Sequence, residues 1–324
     1  LTQAIVIRAH GGPEVLELEA MPLAAPGPGE ALVRHTAIGV NFHDCYVRSG
    51  LYRTLPLPGV PGLEAAGVVE ATGPDVEGFA PGDRVAYFTK SYGSYAAART
   101  IPAERLIHVP DGIDDATAAV AMIRGLTAQV LVQRVHRVEH GQTVLVHAAA
   151  GGVGLLLCQW ATALGARVIG TVGSAAKADR ARAAGCAETI LYREEDFVAH
   201  VQDITDGAGV DVAYDAVGRD TFQGSLACLA DLGHLVNFGQ ASGPVPPFEV
   251  SALSKGSFSV TRPMLFHYVA DRPSLEAAAT SLFRAMADGV VRIDAPTTFP
   301  LAEAATAHRA MEARETTGAV VLTV

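Results

Sequence analysis

The sequence predicts an α/β protein in which a doubly wound parallel sheet accompanies a β-rich domain, and three observations predict it. Thr143 to Lys177 (TVLVHAAAGGVGLLLCQWATALGARVIGTVGSAAK) reads as strand, tight small-residue turn, apolar helix, second strand and the start of another helix. Strand-and-helix alternation continues beyond it. The chain before it is broken by Gly and Pro into many short strands, the pattern of an irregular β-rich domain.

Taken in order, Thr2 to Arg8 alternates like a strand and Gly11-Gly12-Pro13 turns it; Val15 to Glu19 is a second short strand. A Pro/Gly loop covers Ala25 to Gly29, and Glu30 to Gly39 reads as another strand. After the Pro-broken stretch Leu55 to Pro61, Gly62–Gly73 and Asp83–Phe88 are further strands. From Asp114 the pattern changes to helices, at Ala116–Arg124 and Thr127–Val135. The βα alternation starts with Thr143–His147 and places its helix at Leu155–Leu164, ended by Gly165, and its second strand at Arg167–Thr171. Strands follow at Glu188–Leu191, Asp211–Ala216, His234–Phe238 and Phe258–Val260. Leu275–Ala287 and Ala302–Glu312 are helices, and Ala319–Val324 closes the chain as a strand. The layout is a β domain with an α/β domain inserted before its C-terminal part.

The turn Ala148–Gly154 carries the chemistry. Dinucleotide folds place G-x-G-x-x-G at such a turn, because backbone must approach a pyrophosphate and the helix N-terminus supplies N–H groups and a positive dipole end. Here the three positions are Ala149, Gly151 and Gly154, so the first glycine is an alanine. A ligand-free tight turn is the bland alternative for so short a motif; the flanking strand, helix and second strand argue against it. NAD-preferring sites put an acid at the end of the second strand to accept from the ribose 2′-hydroxyl. This chain has Gly170-Thr171-Val172-Gly173-Ser174 there, no acid before Asp179, and Lys177 in the first turn of the next helix. A carboxylate would repel a 2′-phosphate, whereas a lysine, a hydroxyl and free N–H groups would hold one. NADPH is the cofactor this predicts, resting more on the missing acid than on Lys177, since any single lysine is commonly a solvated one.

Composition sets the outer bounds. With 324 residues, 49% hydrophobic, the chain is long enough for two domains with substantial cores. A net charge of −10 without a lysine-rich tract argues against nucleic acid or an anionic membrane as partner. Cys45, Cys158, Cys186 and Cys228 lie far apart with no CxxC pair, which disfavours a disulfide framework or metal cluster and points to a reducing cytoplasm. No signal peptide opens the sequence, and no uninterrupted apolar run of membrane-spanning length is read in it.

Two segments resemble a known family. Gly39-Val40-Asn41-Phe42-His43-Asp44-Cys45-Tyr46-Val47-Arg48-Ser49-Gly50-Leu51-Tyr52, followed by Gly62-Leu63-Glu64-Ala65-Ala66-Gly67, resembles the medium-chain dehydrogenase/reductase superfamily. Within it the match is to the zinc-free quinone oxidoreductases, the zeta-crystallin-like branch. HAAAGGVGLLLCQWA, YREEDF (192–197), DAVGRDT (215–221) and VTRP (260–263) are similar to the bacterial members. The resemblance spans the chain from Gly11-Gly12-Pro13 to the C-terminal strand. It implies a GroES-like β-rich catalytic domain (1–122 and 262–324), a Rossmann domain with a doubly wound parallel sheet (123–261), and a homodimer.

The resemblance also implies a site. Asn41, Tyr46, Tyr52 and Thr127 are expected around the nicotinamide or the substrate carbonyl, the first three as the catalytic set. Gly151, Gly152 and Val153, then Gly173, Ser174, Lys177 and Tyr192, are expected at the phosphates and ribose. Phe238, Gly239 and Gln240 are expected at the nicotinamide half, with Arg262 and Arg314 as weaker carry-overs. Zinc alcohol dehydrogenases have a cysteine where this chain has Asn41 and a histidine where it has Leu63. A catalytic zinc needs three Cys, His or carboxylate ligands plus an open position, so no metal is expected. Glu64 reads as a structural carboxylate bonding backbone or Arg84. His43 reads as a polar surface or wall residue of a loop, and Asp44 and Arg48 as an ion pair fixing that loop. Each tyrosine, taken singly, is at least as readily packing.

Without a Lewis acid, an already electron-poor quinone suits the site better than an alcohol. Asn41 could donate its amide N–H to the developing oxyanion, with Tyr46 and Tyr52 offering flat faces and hydroxyl tips. The leading expectation is NADPH-dependent quinone reduction. The alternatives are a reductase of α,β-unsaturated ketones or aldehydes and a non-catalytic, crystallin-type NADPH-binding protein.

Overall fold

The computed structural model describes residues 1–316 and 318–324. In chain order its strands and helices are β1 (Thr2–Val6), β2 (Glu17–Met21), β3 (Glu30–Val40), α1 (Phe42–Ser49), β4 (Glu64–Thr72), β5 (Arg84–Phe88), β6 (Ala98–Pro102), β7 (Leu106–His108) and α2 (Asp115–Val130). There follow β8 (Thr143–Val146), α3 (Gly152–Ala163), β9 (Arg167–Val172), α4 (Ala175–Ala183), β10 (Glu188–Leu191), α5 (Phe197–Ile204), β11 (Val210–Asp215), α6 (Phe222–Ala227), β12 (Leu229–Asn237) and β13 (Ser259–Thr261). The chain ends with α7 (Leu265–Tyr268), α8 (Arg272–Ala287), β14 (Thr297–Pro300), α9 (Ala304–Glu312) and β15 (Val320–Thr323).

Two units divide the chain. The first holds Leu1–Ile123, Asp271–Ala279 and Ile293–Val324; the second holds Arg124–Ala270 and Thr280–Arg292. Residues 262–270 and 280–292 thus lie with the nucleotide-type unit.

The first unit is built on a sheet ordered β14-β15-β3-β4-β5-β7, with β6 also pairing β3 and a separate β1-β2 ribbon. Its long strand β3 alternates buried Ala31 and Val33 with outward residues, then buries Ile38 and Val40 completely. Each such aliphatic side chain contributes about 1.5–3 kcal/mol by leaving water. Among the described residues the second unit's sheet runs β10-β9-β8-β11-β12-β13, and every pairing in it is parallel. This is the doubly wound order, reversing between β8 and β11. Ligands of such sheets bind beyond the strand ends at that reversal.

Two readings of the sequence need correction. Residues 42–49 are a helix, α1. Asn41 stands at its N-cap, Asp44 Oδ2 accepts from the Asn41 backbone N–H at 2.8 Å, and Gly50 ends it with φ 82°. The two helices expected across 116–135 are one. Gly125 does not break α2: a Cβ there would meet the Leu282 side chain, so the glycine serves close packing against α8. The last turn widens into π geometry at Leu131–Val135. Asp115–Val135 is, by length and composition, long and apolar enough to cross a bilayer, but Arg124 and Arg134 interrupt it, and 67% of its most apolar stretch is buried within the protein, as in a core helix.

Candidate active site

In the second unit the candidate site is made of backbone. Strand β8 ends at Val146 and the turn Ala148–Gly151 leads into α3. Ala148 adopts φ 51°, a left-handed conformation that costs an alanine energy and tightens the turn. Gly151 is the N-cap of α3 with extended backbone (φ −79°, ψ 170°), which leaves the N–H groups of Gly152 and Val153 in the first helical turn without intrahelical acceptors. A Cβ on Gly154 would collide with the Ala148 carbonyl oxygen, so only glycine lets α3 approach the turn this closely. The alanine at the motif's first position has a partner adjustment. Ala149 is fully buried, and a Cβ on Gly170 of β9 would lie 2.7 Å from its methyl group. The missing glycine has in effect moved across to the neighbouring strand.

The β9–α4 turn lies beside it in the sheet order. Ser174 is the extended N-cap of α4, and its hydroxyl takes no bond from its own helix. Lys177 is exposed in the first turn, its N–H bonded to Ser174 O at 3.1 Å. Tyr192 is 45% exposed at the end of β10, with its hydroxyl 3.2 Å from where a Cβ on Gly173 would be. Sequence reasoning missed two cations. Arg193 Nε lies 3.5 Å from that same point, and the Arg124 side chain crosses Gly152, with Nε 3.2 Å from where its Cβ would be. Arg193 adjoins Tyr192 in the sequence, a usable signal; Arg124 comes from α2 and carries none.

At the ends of β11 and β12, Asp215 Oδ1 accepts from Val217 N, Gly218 N and Thr221 Oγ1 at 2.7, 3.0 and 2.8 Å. Phe238 N and Gly239 N donate to Asp215 O at 2.9 and 3.3 Å, which sets Phe238, Gly239 and Gln240 just past β12. Arg262 donates to Asn237 O at 2.9 Å, at the same strand end. Thr127 is partly buried on α2. His147, fully buried behind the turn, bridges Thr171 and Ser225 at 2.9 Å each. Ser225 spends its own proton on Thr221 O, so imidazole Nε2 is the donor and Nδ1 the acceptor. Burial pushes His147 down to about 4, so it is a neutral structural cross-link.

In the first unit the candidate site is made of side chains. The Asn41 amide donates to Glu64 Oε1 at 2.7 Å, and the other Glu64 oxygen accepts from Ile123 N at 2.6 Å. Glu64 is completely buried. A carboxylate facing the amide leaves no doubt which Asn41 atom is nitrogen, and the second amide hydrogen is left for another acceptor. Arg84 takes Asp115 at 2.6 Å and Ile113 O, so the backbone half of the Glu64 expectation holds and the Arg84 half does not. Arg48 likewise pairs with Glu312 at 2.6 Å rather than with Asp44, donates to Gly11 O at 3.2 Å, and touches His308 Nδ1 at 3.3 Å. Asp44 accepts from Asn41 N and from Tyr95 OH at 3.2 Å, and Tyr95 meets His308 Nε2 at 3.0 Å. Burial, then Arg48, pushes His308 down to about 3, so this network under α1 carries a neutral imidazole.

Beside Asn41 stands an aromatic group. Tyr46 and Tyr52 pack edge to face at 5.3 Å between centroids, and His43 lies 5.6 Å from Tyr52. Tyr92, which nothing in the sequence singled out, stacks on His43 at 6.0 Å and 13°. Burial raises the Tyr46 and Tyr92 phenols and lowers His43, so all three are neutral near pH 7. Arg314 follows α9 in this unit, exposed and at φ 61°. Leu63, one of the two zinc-ligand positions, is buried. No group of three or more His, Cys, Asp or Glu able to hold a metal forms among the described residues.

Comparison with known proteins bears on the whole chain. It is 49% identical over 326 residues to a quinone oxidoreductase of Pseudomonas aeruginosa, covering 99% of each protein. The chain belongs to the quinone oxidoreductase branch of the medium-chain dehydrogenase/reductase superfamily. The family model for the alcohol dehydrogenase GroES-like domain matches residues 27–111, and that for the zinc-binding dehydrogenase matches residues 152–281. A 2-haloacrylate reductase of a Burkholderia species is 44% identical, again covering 99% of each. The Escherichia coli quinone oxidoreductase complexed with NADPH superposes with a TM-score of 0.94 at 42% identity, covering 99% of this chain and 100% of that one. The chain is an oxidoreductase with a GroES-like domain, a Rossmann-type parallel sheet, NADPH as cofactor and a small-molecule substrate. The residues fit that cofactor: the glycine-walled turn at Ala148–Gly154 admits a pyrophosphate, and the strand end at Val172–Ser174 has no carboxylate to oppose a 2′-phosphate.

Proposed function

We propose that this protein reduces quinones with NADPH and without a metal ion. The observation that carries the reading is the Asn41–Glu64 pair. Where a zinc relative has a thiolate ligand, this chain has an amide already held by a buried carboxylate at 2.7 Å. Leu63 offers no ligand atom at all. The donor set does not fit zinc, despite the name of the matching family model.

NADPH, when bound, supplies the hydride; the protein's own residues bind, orient and shield. In this reading Gly151, Gly152 and Val153 bind the pyrophosphate through backbone N–H groups, supported by Arg124. Gly173, Ser174, Lys177, Tyr192 and Arg193 hold the 2′-phosphate. Thr127, Phe238, Gly239, Gln240, Arg262 and Arg314 complete the cofactor contacts. Asn41 donates its remaining amide hydrogen to the acceptor oxygen as charge builds on it, while Tyr46 and Tyr52 supply flat walls. A homodimer and a cytoplasmic location belong to the same proposal.

The 2-haloacrylate reductase among the relatives favours a second reading, reduction of a conjugated C=C bond beside a carbonyl, which the same residues would serve. A steady-state panel of NADPH with quinones, enones and enals, run before and after dialysis against a strong chelator, tests both. The expected result is the highest kcat/KM on a quinone, unchanged by chelation. Preference for an enal selects the second reading. Activity restored only by added zinc overturns the metal-free one, and tight NADPH binding without turnover on any acceptor indicates a non-catalytic binding protein.

A further inference from the structure

Hydride transfer to a quinone leaves a hydroquinone anion, and one proton must follow it. Two of the residues assigned above are poorly suited to supply that proton repeatedly. The Asn41 amide does not give up its hydrogens, and the Tyr46 phenol is raised by burial. The first unit does contain a hydrogen-bonded chain that runs from solvent into the aromatic group. Thr54 is exposed, and its Oγ1 lies 2.6 Å from Tyr92 OH. Tyr92 OH lies 2.9 Å from His43 Nε2. His43 in turn is on the first turn of α1, two residues after Asn41 and in ring contact with Tyr52.

We propose that Thr54, Tyr92 and His43 form a relay that carries a proton from water to the reduced quinone. The inference rests on the quinone-reductase reading and adds to it the source of the proton. A relay needs each of these bonds to run one way. If Thr54 donates to Tyr92 and Tyr92 to His43 Nε2, then neutral His43 carries its hydrogen on Nδ1. Loss of the hydride oxidises the nicotinamide, and its gain reduces the quinone by two electrons. The anionic oxygen then takes the Nδ1 proton as Nε2 accepts the Tyr92 proton. Tyr92 accepts from Thr54, and Thr54 is reprotonated by hydronium, or by water with release of hydroxide, so one solvent proton is consumed per turnover. Charge and protons balance, and no group has to rest in its ionised form; once product has left, solvent protonates Nδ1 and Nε2 returns its proton through Tyr92 and Thr54, which restores the starting tautomer. A histidine lowered by burial suits this, because a relay needs a neutral imidazole with one donor and one acceptor.

The stacking of Tyr92 on His43, nearly parallel at 13°, offers a clean test. Tyr92→Phe keeps the ring and removes the bridging hydroxyl; Thr54→Val cuts the chain at its exposed end, where folding is not at stake. The assay is turnover of tetramethyl-1,4-benzoquinone with NADPH, in H2O and D2O, and with NADPH deuterated at the transferred position. NADPH affinity is followed by fluorescence. The relay predicts that Tyr92→Phe lowers kcat by about tenfold and Thr54→Val by about threefold, with unchanged NADPH affinity. In Tyr92→Phe the solvent isotope effect should grow and the hydride isotope effect shrink, as proton delivery becomes slow. A small buffer acid such as imidazolium should restore part of the rate. Both variants turning over at the wild-type rate with wild-type isotope effects would overturn the relay. So would a slow Tyr92→Phe whose isotope effects are unchanged and which no acid rescues, since that is a purely structural loss. A wild-type protein that leaves the quinone unreduced fails a different claim, the quinone-reductase reading itself.

Discussion

The candidate sites of the two units are built from different materials. In the nucleotide unit the working groups are main-chain N–H groups, and side chains are chiefly kept out of the way. Gly151, Gly152 and Gly154 line the turn, and Gly170 makes room for Ala149. In the β-rich unit the backbone only presents side chains: Asn41 on the cap of α1, His43 and Tyr46 on its first turns, Tyr52 and Tyr92 against them. A backbone site tolerates almost no added atom but spreads its binding over many donors. A side-chain site tolerates substitution and concentrates its effect in one or two groups. Steric changes should therefore be severe in the first region, and chemical deletions should be graded in the second.

The largest effect expected is from Gly154→Ala. One methyl group placed against the Ala148 carbonyl has no flexible neighbour to yield to, because the obstacle is backbone. Overpacking of this kind costs about 1–3 kcal/mol, and the displaced turn should weaken NADPH binding by about a hundredfold or more. Fluorescence titration and a thermal melt measure the two consequences. A variant with wild-type affinity would show that the turn is not the phosphate site.

Next in size is Asn41→Ala, which removes the proposed donor to the acceptor oxygen and strips Glu64 Oε1 of its amide partner. A donor in an oxyanion site contributes about 2.7–4 kcal/mol, but a quinone spreads its charge over a conjugated ring. The expected loss is about ten- to a hundredfold in kcat, or roughly 1.4–2.7 kcal/mol, with NADPH affinity little changed. Glu64→Gln should move kcat in the same direction, because an amide can present its own N–H to Asn41 and turn it over. If Asn41→Ala raises only the KM for quinone, the residue binds substrate without stabilising the transition state.

The smallest effects should come from Tyr46→Phe and Tyr52→Phe. Both rings stay in their edge-to-face contact when the hydroxyl is removed, so kcat should fall by about threefold or less. A dead variant that still binds NADPH would make that tyrosine an obligatory acid and end the account of the patch as walls around a positioned acceptor.

The same contrast explains what the sequence made legible. A backbone site needs contiguous small residues between a strand and a helix, so Thr143–Lys177 announced itself in one stretch, and the absent acid near Gly173 spoke to the cofactor. The parallel strands β8 to β13 were readable for a related reason, as short β-branched runs set off by turns. The side-chain site drew its parts from distant segments, joining Asn41 to Glu64 and His43 to Tyr92 and Thr54. No local pattern encodes such pairings, and Tyr92 and Arg124 were invisible for that reason. Helix α1 was different, because its signal was present. Asn41 and Asp44 stand three apart with Gly50 at the far end, a cap-to-cap pattern that the mixed composition between them obscured. Gly125 misled in the opposite sense, since a glycine that serves packing looks like one that breaks a helix.

The division of labour rests most directly on the 2′-phosphate. Steady-state KM and kcat for NADPH and NADH, with wild type and Lys177→Ala on one quinone, test it. Lys177 is exposed on the first turn of α4, in the nucleotide unit, whereas Asn41, Tyr46 and Tyr52 belong to the other. Its loss should raise the KM for NADPH by more than tenfold, about 1.5–3 kcal/mol of charge-assisted bonding, and leave NADH kinetics and kcat nearly unchanged. An equal loss with both cofactors, or none with either, would contradict the account.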